Sequence, residues 1–88
     1  MKFAKVFDVK RFGQVVMLRA QDEMGAPCVK FYFSPEGYGV CNFSIGWDND
    51  QNAGKKADRA FAELTTSEII KIIDGWLTHQ QSAAAKAH

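Results

Sequence analysis

Apolar and polar residues alternate through the first half of the chain, and turns that contain glycine interrupt the alternation at regular intervals. Gly13, Gly25 and Gly37 stand twelve residues apart, and each is the fourth residue of a five-residue turn. Glycine suits that place because a three-residue hairpin loop ends in a left-handed backbone conformation. Asp22 and Pro35 occupy turn positions that aspartate and proline favour. The pattern predicts a meander of four antiparallel strands.

The turns also predict how the strands pair, if the residues that flank each turn lie opposite one another. The flanking pairs are Lys10 with Gln14, Asp22 with Ala26, and Ser34 with Tyr38. Because alternate residues of a strand point to opposite faces, this register assigns each side chain to one face of the sheet. The rows of the first face are Phe7, Met17, Phe31, Cys41; Val9, Val15, Phe33, Gly39; and Lys5, Arg19, Val29, Phe43, with Phe3 and Ile45 at one end. The rows of the second face are Val6, Leu18, Lys30, Asn42; Asp8, Val16, Tyr32, Val40; and Ala4, Ala20, Cys28, Ser44.

The second half of the chain has the apolar spacing of helices. This spacing predicts a short helix over residues 54–64. The alternative is a strand over residues 59–64. Thr65 and Glu68 have the spacing of a capping box, which predicts the start of a second helix. The apolar stripe of that helix consists of Ile69, Ile70, Ile73, Trp76 and Leu77. The predicted fold class is α+β, with residues 1–80 forming a single domain and residues 81–88 a flexible C-terminal tail.

Two helices are enough to cover one face of such a sheet. Four strands about 4.8 Å apart make a sheet about 19 Å wide, and each helix is about 10 Å across. The first face collects five of the seven phenylalanines, so we expect it to form the core beneath both helices. The second face should then stay open for a homodimer or for another protein. The residues predicted to bind that partner are Val6, Val16, Leu18, Lys30, Tyr32, Val40 and Asn42.

Length and charge narrow the class of protein. A chain of 88 residues can form one small core. The formal net charge of +1 gives no strong electrostatic reason to expect nucleic acid, membrane or acidic partners. No apolar run approaches the length of a membrane span, and charges occur throughout residues 1–20, so we expect a soluble cytoplasmic protein. Accessory proteins of phages and mobile elements are often this small.

Candidate chemistry is sparse in this chain. Cys28 and Cys41 fall on opposite faces of the predicted sheet, so they cannot form a disulfide and should be free thiols. The loop at residues 48–52 begins like a calcium-binding loop, but Arg59 stands where that motif needs a glutamate. No nucleophile–base pair, phosphate-binding loop or pair of carboxylates is evident. We therefore expect a protein that is not an enzyme and that has no metal site and no cofactor.

Two alternatives to a protein-binding sheet remain. Residues 37–43 resemble part of the first ribonucleoprotein motif, although Glu36 replaces the expected basic residue and the motif's preceding helix is absent. Exposed aromatic and basic side chains could still bind single-stranded nucleic acid. The residues of that alternative are Lys10, Arg11, Lys30, Tyr32 and Tyr38. A small-molecule pocket between Trp47, Trp76 and the two helices is the third possibility.

Overall fold

The computed structural model describes residues 4–47 and 50–86, with side chains described as far as residue 80. Its sheet has the order β1-β2-β3-β4, and every neighbouring pair of strands is antiparallel. The elements are β1 (Ala4–Val9), β2 (Gly13–Gln21), β3 (Pro27–Phe33), β4 (Cys41–Gly46), α1 (Ala53–Glu63) and α2 (Thr66–Lys86). The predicted α+β meander with two following helices is confirmed, and residues 59–63 are helical rather than extended.

The central pair of strands has the predicted register. The backbone N–H of Asp22 donates to the carbonyl of Ala26 at 2.9 Å, and Val16 lies opposite Tyr32. The Asp22 carboxylate also accepts hydrogen bonds from the N–H groups of Met24 and Ala26, both at 2.9 Å. These bonds hold the turn in the conformation that Gly25, with a φ of 82°, allows.

The pairing of β1 with β2 and the pairing of β3 with β4 are each shifted by two residues from the predicted register. Phe7 lies opposite Val15 rather than Met17, and Phe31 lies opposite Phe43 rather than Cys41. A shift of two residues leaves every side chain on its predicted face, because the side-chain repeat of a strand is two. The predicted division into two faces is therefore correct for the strand residues that the structure describes, and Phe3 lies outside them.

The first shift originates in the turn between β1 and β2. Val9 pairs with Gly13, so the turn begins one residue earlier than predicted, and the N–H of Phe12 donates to the Val9 carbonyl at 3.0 Å. Phe12 is only 2% exposed, and its ring packs edge-on against Phe33. The N–H of Ser34 donates to the Phe12 carbonyl at 2.9 Å. The turn thus buries an aromatic side chain in the core.

The core lies on the first face, as predicted. It is centred on Val15, Met17, Val29 and Phe31, none of which has measurable exposure. Helix residues complete it from the other side, namely Ala57 and Phe61 of α1 and Ile69 and Ile73 of α2.

Polar contacts attach both helices to this face. The Lys5 ammonium of β1 donates to the carbonyl of Phe61 at 2.7 Å, at the C-terminal end of α1, where a cation also complements the helix dipole. Arg19 of β2 forms an ion pair with Asp58 at 2.7 Å. Arg11 forms an ion pair with Asp74 of α2. These contacts accompany the core packing that holds α1 and α2 over the same side of the sheet.

A capping box begins α2, as the sequence predicts. The N–H of Thr65 donates to Oε1 of Glu68 at 3.1 Å, and the N–H of Glu68 donates to the Thr65 hydroxyl at 3.3 Å. The helical backbone continues to Lys86. The flexibility expected of residues 81–88 stays a prediction, and residues 87–88 lie outside the described part of the chain.

The capping box predicts a pH-dependent contribution to stability. The hydrogen bond from the Thr65 N–H, with that from its hydroxyl, holds the pKa of Glu68 below its ordinary value of 4.5. A lowered carboxyl pKa stabilises the fold above the unfolded-state value, and this stabilisation is lost as pH falls through the folded-state value. Glu68→Ala should therefore lower the Tm at about pH 7, and the difference from wild type should shrink towards about pH 3.

Thermal melting followed by circular dichroism at constant protein concentration measures this difference. Glu63→Ala, at an exposed position near the end of α1, is the control for loss of a helix carboxylate. A Tm deficit of Glu68→Ala that stays constant through the acid range would contradict the role assigned to the ionised carboxylate.

Candidate functional site: the open face of the sheet

The second face of the sheet, called the open face below, has two central rows of side chains. One row is Val6, Val16, Tyr32 and Asn42, in the order of the strands from β1 to β4. The adjacent row is Ala4, Leu18, Lys30 and Ser44. The structure therefore brings together six of the seven residues predicted to bind a partner.

The open face is apolar at its centre and is not the face that carries the helices. Val6 is 58% exposed, and Val16, Leu18 and Tyr32 are half-buried although they lie in a packed sheet. The helix residues of the core all belong to the cluster on the first face. An apolar patch on a strand surface of this kind is typical of a contact site.

Val40 is the one predicted partner-binding residue that the structure places elsewhere. β4 begins at Cys41, and Asn42 rather than Val40 lies opposite Tyr32. The N–H of Tyr38 donates to the carbonyl of Pro35, and both Gly37 and Gly39 have positive φ values. This second positive-φ glycine extends the connection between β3 and β4, so Val40 belongs to the loop, where it is 77% exposed.

A groove of about 440 Å³ crosses the open face above β3 and β4. Its polar lining residues are Asp22, Glu23, Lys30, Tyr32, Asn42 and Ser44. The turn between β2 and β3 forms one wall, and Met24 at its tip is 91% exposed. Sequence reasoning missed Met24, although an apolar residue at the centre of a polar turn is a signal in itself.

The open face carries charges of opposite sign. Asp8 on β1 lies beside Gln14, whose side-chain amide donates to the Asp8 carboxylate at 3.3 Å. Lys30 lies on β3, one row beyond the row of Tyr32. The described strand residues of this face therefore include both a cation and an anion.

The residues of the nucleic-acid alternative do not form one surface. Lys10 and Arg11 lie in the turn between β1 and β2. Arg11 forms an ion pair with Asp74, and its guanidinium lies 5.0 Å from the centroid of the Phe12 ring. Tyr38 lies in the loop between β3 and β4. Lys30 faces Leu18 and Ser44 within the sheet. The basic residues are thus divided between a turn and the sheet, and one of them is already paired.

The two tryptophans have different surroundings among the described residues. The Trp76 ring stacks on Phe43 at 5.3 Å and meets Phe33 edge-on at 5.5 Å, so it belongs to the core. Trp47 lines a shallow groove beside α1 and the beginning of α2. Packing between aromatic rings accounts for the position of Trp76.

The polar loop before α1 makes its own internal contacts. Asp50 accepts a hydrogen bond from the N–H of Asn52 at 2.7 Å and forms an ion pair with Lys56. The Lys56 bond is the main cause of the lowered pKa of the Asp50 carboxyl. Residues 48–49 of the calcium-like loop lie outside the described residues. In the part of the chain that the structure describes, no three His, Cys, Asp or Glu side chains cluster as metal ligands would.

Comparison with protein-family models, curated proteins and solved structures found no match. Within the described ranges, neither helix is both long and apolar enough to cross a membrane.

The two cysteines predict different thiol reactivities. Both are free, as the sequence predicts; Cys28 is 2% exposed and Cys41 is half-buried. Because reaction with a disulfide reagent requires access to the sulfur, Cys41 should react at least about tenfold faster than Cys28 in the native protein. Reaction with Ellman's reagent measures both rates, with Cys28→Ala and Cys41→Ala to assign them. Equal rates under native conditions, well below the unfolding midpoint, would contradict this arrangement.

Proposed function

We propose that this protein is a non-enzymatic interaction module that binds a second copy of itself through the open face. The observation that carries the proposal is the position of Val16, Leu18 and Tyr32. They form an apolar centre on the face opposite both helices. Burying apolar surface of this kind is the main driving force of protein association.

The size of the open face supports a stable dimer. Four strands about 4.8 Å apart and four rows about 6.8 Å apart give a footprint of about 500 Å². Side-chain relief and the exposed turns raise the accessible area towards the roughly 800 Å² per partner of a standard interface. Met24 and Val40 add exposed apolar side chains in the connections at the two ends of the sheet.

A second copy fits this face better than a strongly charged partner does. Lys30 and Asp8 have opposite charges, so self-association need not bring a surplus of like charges together. Single-stranded nucleic acid would require a basic surface, and Arg11 is already paired with Asp74.

Leu18→Asp should convert the dimer to a soluble, folded monomer. The substitution puts a carboxylate at the centre of the proposed interface, where burial would cost it more hydration than its cross-strand neighbour Lys30 restores. Because Leu18 is on the open face and not in the core, the monomer should keep its secondary structure. Sedimentation velocity over a range of protein concentrations measures the change, and circular dichroism verifies the fold.

Ser67→Asp is the matched control, since it adds the same charge at an exposed position in the first turn of α2. It should leave the dimer intact. The proposal fails if wild-type protein sediments as a monomer at every concentration, or if Leu18→Asp sediments as wild type does. Binding of a labelled oligonucleotide at low salt by a monomeric wild type would favour the nucleic-acid alternative instead.

A further inference from the structure

We infer that the two copies meet about a two-fold axis that runs across the strands, between the two central rows of the open face. The inference rests on the proposed self-association and specifies its geometry. A two-fold axis in this direction places each strand over the same strand of the second copy, with the opposite direction. Stacked sheets pack about 10 Å apart with their strands nearly aligned, and this arrangement satisfies that requirement.

The axis exchanges the two rows, and the exchange determines which side chains meet. The row of Val6, Val16, Tyr32 and Asn42 then lies over the second copy's row of Ala4, Leu18, Lys30 and Ser44. Each contact occurs twice, because an isologous interface uses the same surface on both copies.

The four contacts are chemically matched. Val16 meets Leu18 of the second copy, and Val6 meets its Ala4, so apolar side chains face apolar side chains. Asn42 meets Ser44, which can exchange a hydrogen bond with it. Tyr32 meets Lys30, and an ammonium group over a tyrosine ring is attractive, the more so when water is excluded. The pairing also gives the one cation of the two central rows a partner.

A two-fold axis along the strands, between β2 and β3, gives a poorer match. It would place Lys30 over Leu18 of the second copy and Val6 over its Asn42. An ammonium buried against an aliphatic side chain loses hydration without compensation. Chemical complementarity therefore favours the axis across the strands.

The exposed turn residues fit the same arrangement. In a meander, the turn between β2 and β3 lies at one end of the sheet, and the other two connections lie at the opposite end. Reversing the strand direction brings Met24 of one copy towards the end of the second copy that carries Val40. These two residues are the most exposed large apolar side chains among those described.

Opposite charges at position 32 test this geometry. Tyr32→Glu places a carboxylate over Lys30 of the second copy twice in each dimer, whereas Tyr32→Lys places an ammonium there. The Kd of the Tyr32→Lys dimer should exceed that of the Tyr32→Glu dimer by at least about tenfold, and salt should reduce the difference. Both variants remove the same ring, so each controls for the other. Sedimentation equilibrium at two salt concentrations gives both Kd values, with circular dichroism as the folding control.

A second measurement uses wild-type protein and needs no substitution. In dimers mixed from isotope-labelled and unlabelled copies, filtered NMR spectra should show contacts between the methyl groups of Val16 and Leu18 of different copies. Equal Kd values for the two Tyr32 variants, or the absence of these contacts in a dimer, would overturn the axis. Neither result would affect the proposed use of the open face if Leu18→Asp still dissociates the dimer. A monomeric wild type would overturn both proposals.

Discussion

A four-stranded sheet has two faces to bury, and both helices of this chain lie on the one that carries the phenylalanines. Ring packing explains the position of α2. Phe31 stacks on Phe43, Phe43 stacks on Trp76, and Phe33 meets Trp76 edge-on, so one aromatic group spans the sheet and α2. Aromatic pairs contribute more than their buried area alone, which makes this face the better place for a helix. Because the helices cover the aromatic face, the apolar side chains of the open face have neither described helix packed on them.

The division of residues between the two faces could be predicted because it depends only on whether a residue number is odd or even. The register could not be predicted so well, because it depends on where each turn begins. Phe12 illustrates the cause. Local turn preferences depend on the backbone conformation that each residue favours. Burial of the Phe12 ring against Phe33 instead favours a turn that begins one residue earlier. Tertiary packing was stronger than local turn preference at that position.

The positions of the candidate-site residues in the sheet were predicted to the same extent and for the same reason. The central residues Val16, Leu18 and Tyr32 lie in the strand pair whose register was correct, so their neighbours were correct as well. Val40 was misplaced because a second positive-φ glycine, Gly39, lengthens the loop before β4. The pairing of Arg11 with Asp74 joins residues far apart in sequence. No local pattern encodes such a contact.

The order of the elements has a consequence for synthesis on the ribosome. All strand pairings join neighbouring segments, and such local topology favours rapid hairpin formation as the chain emerges. The helices that cover Phe31 and its neighbours are translated after all four strands. Until the helices emerge, a nascent sheet would expose apolar surface on both faces. Such a state is prone to aggregate with other incomplete chains. Rapid translation of α1 and α2 would shorten that interval, and a chaperone at the exit tunnel would cover the exposed surface during it.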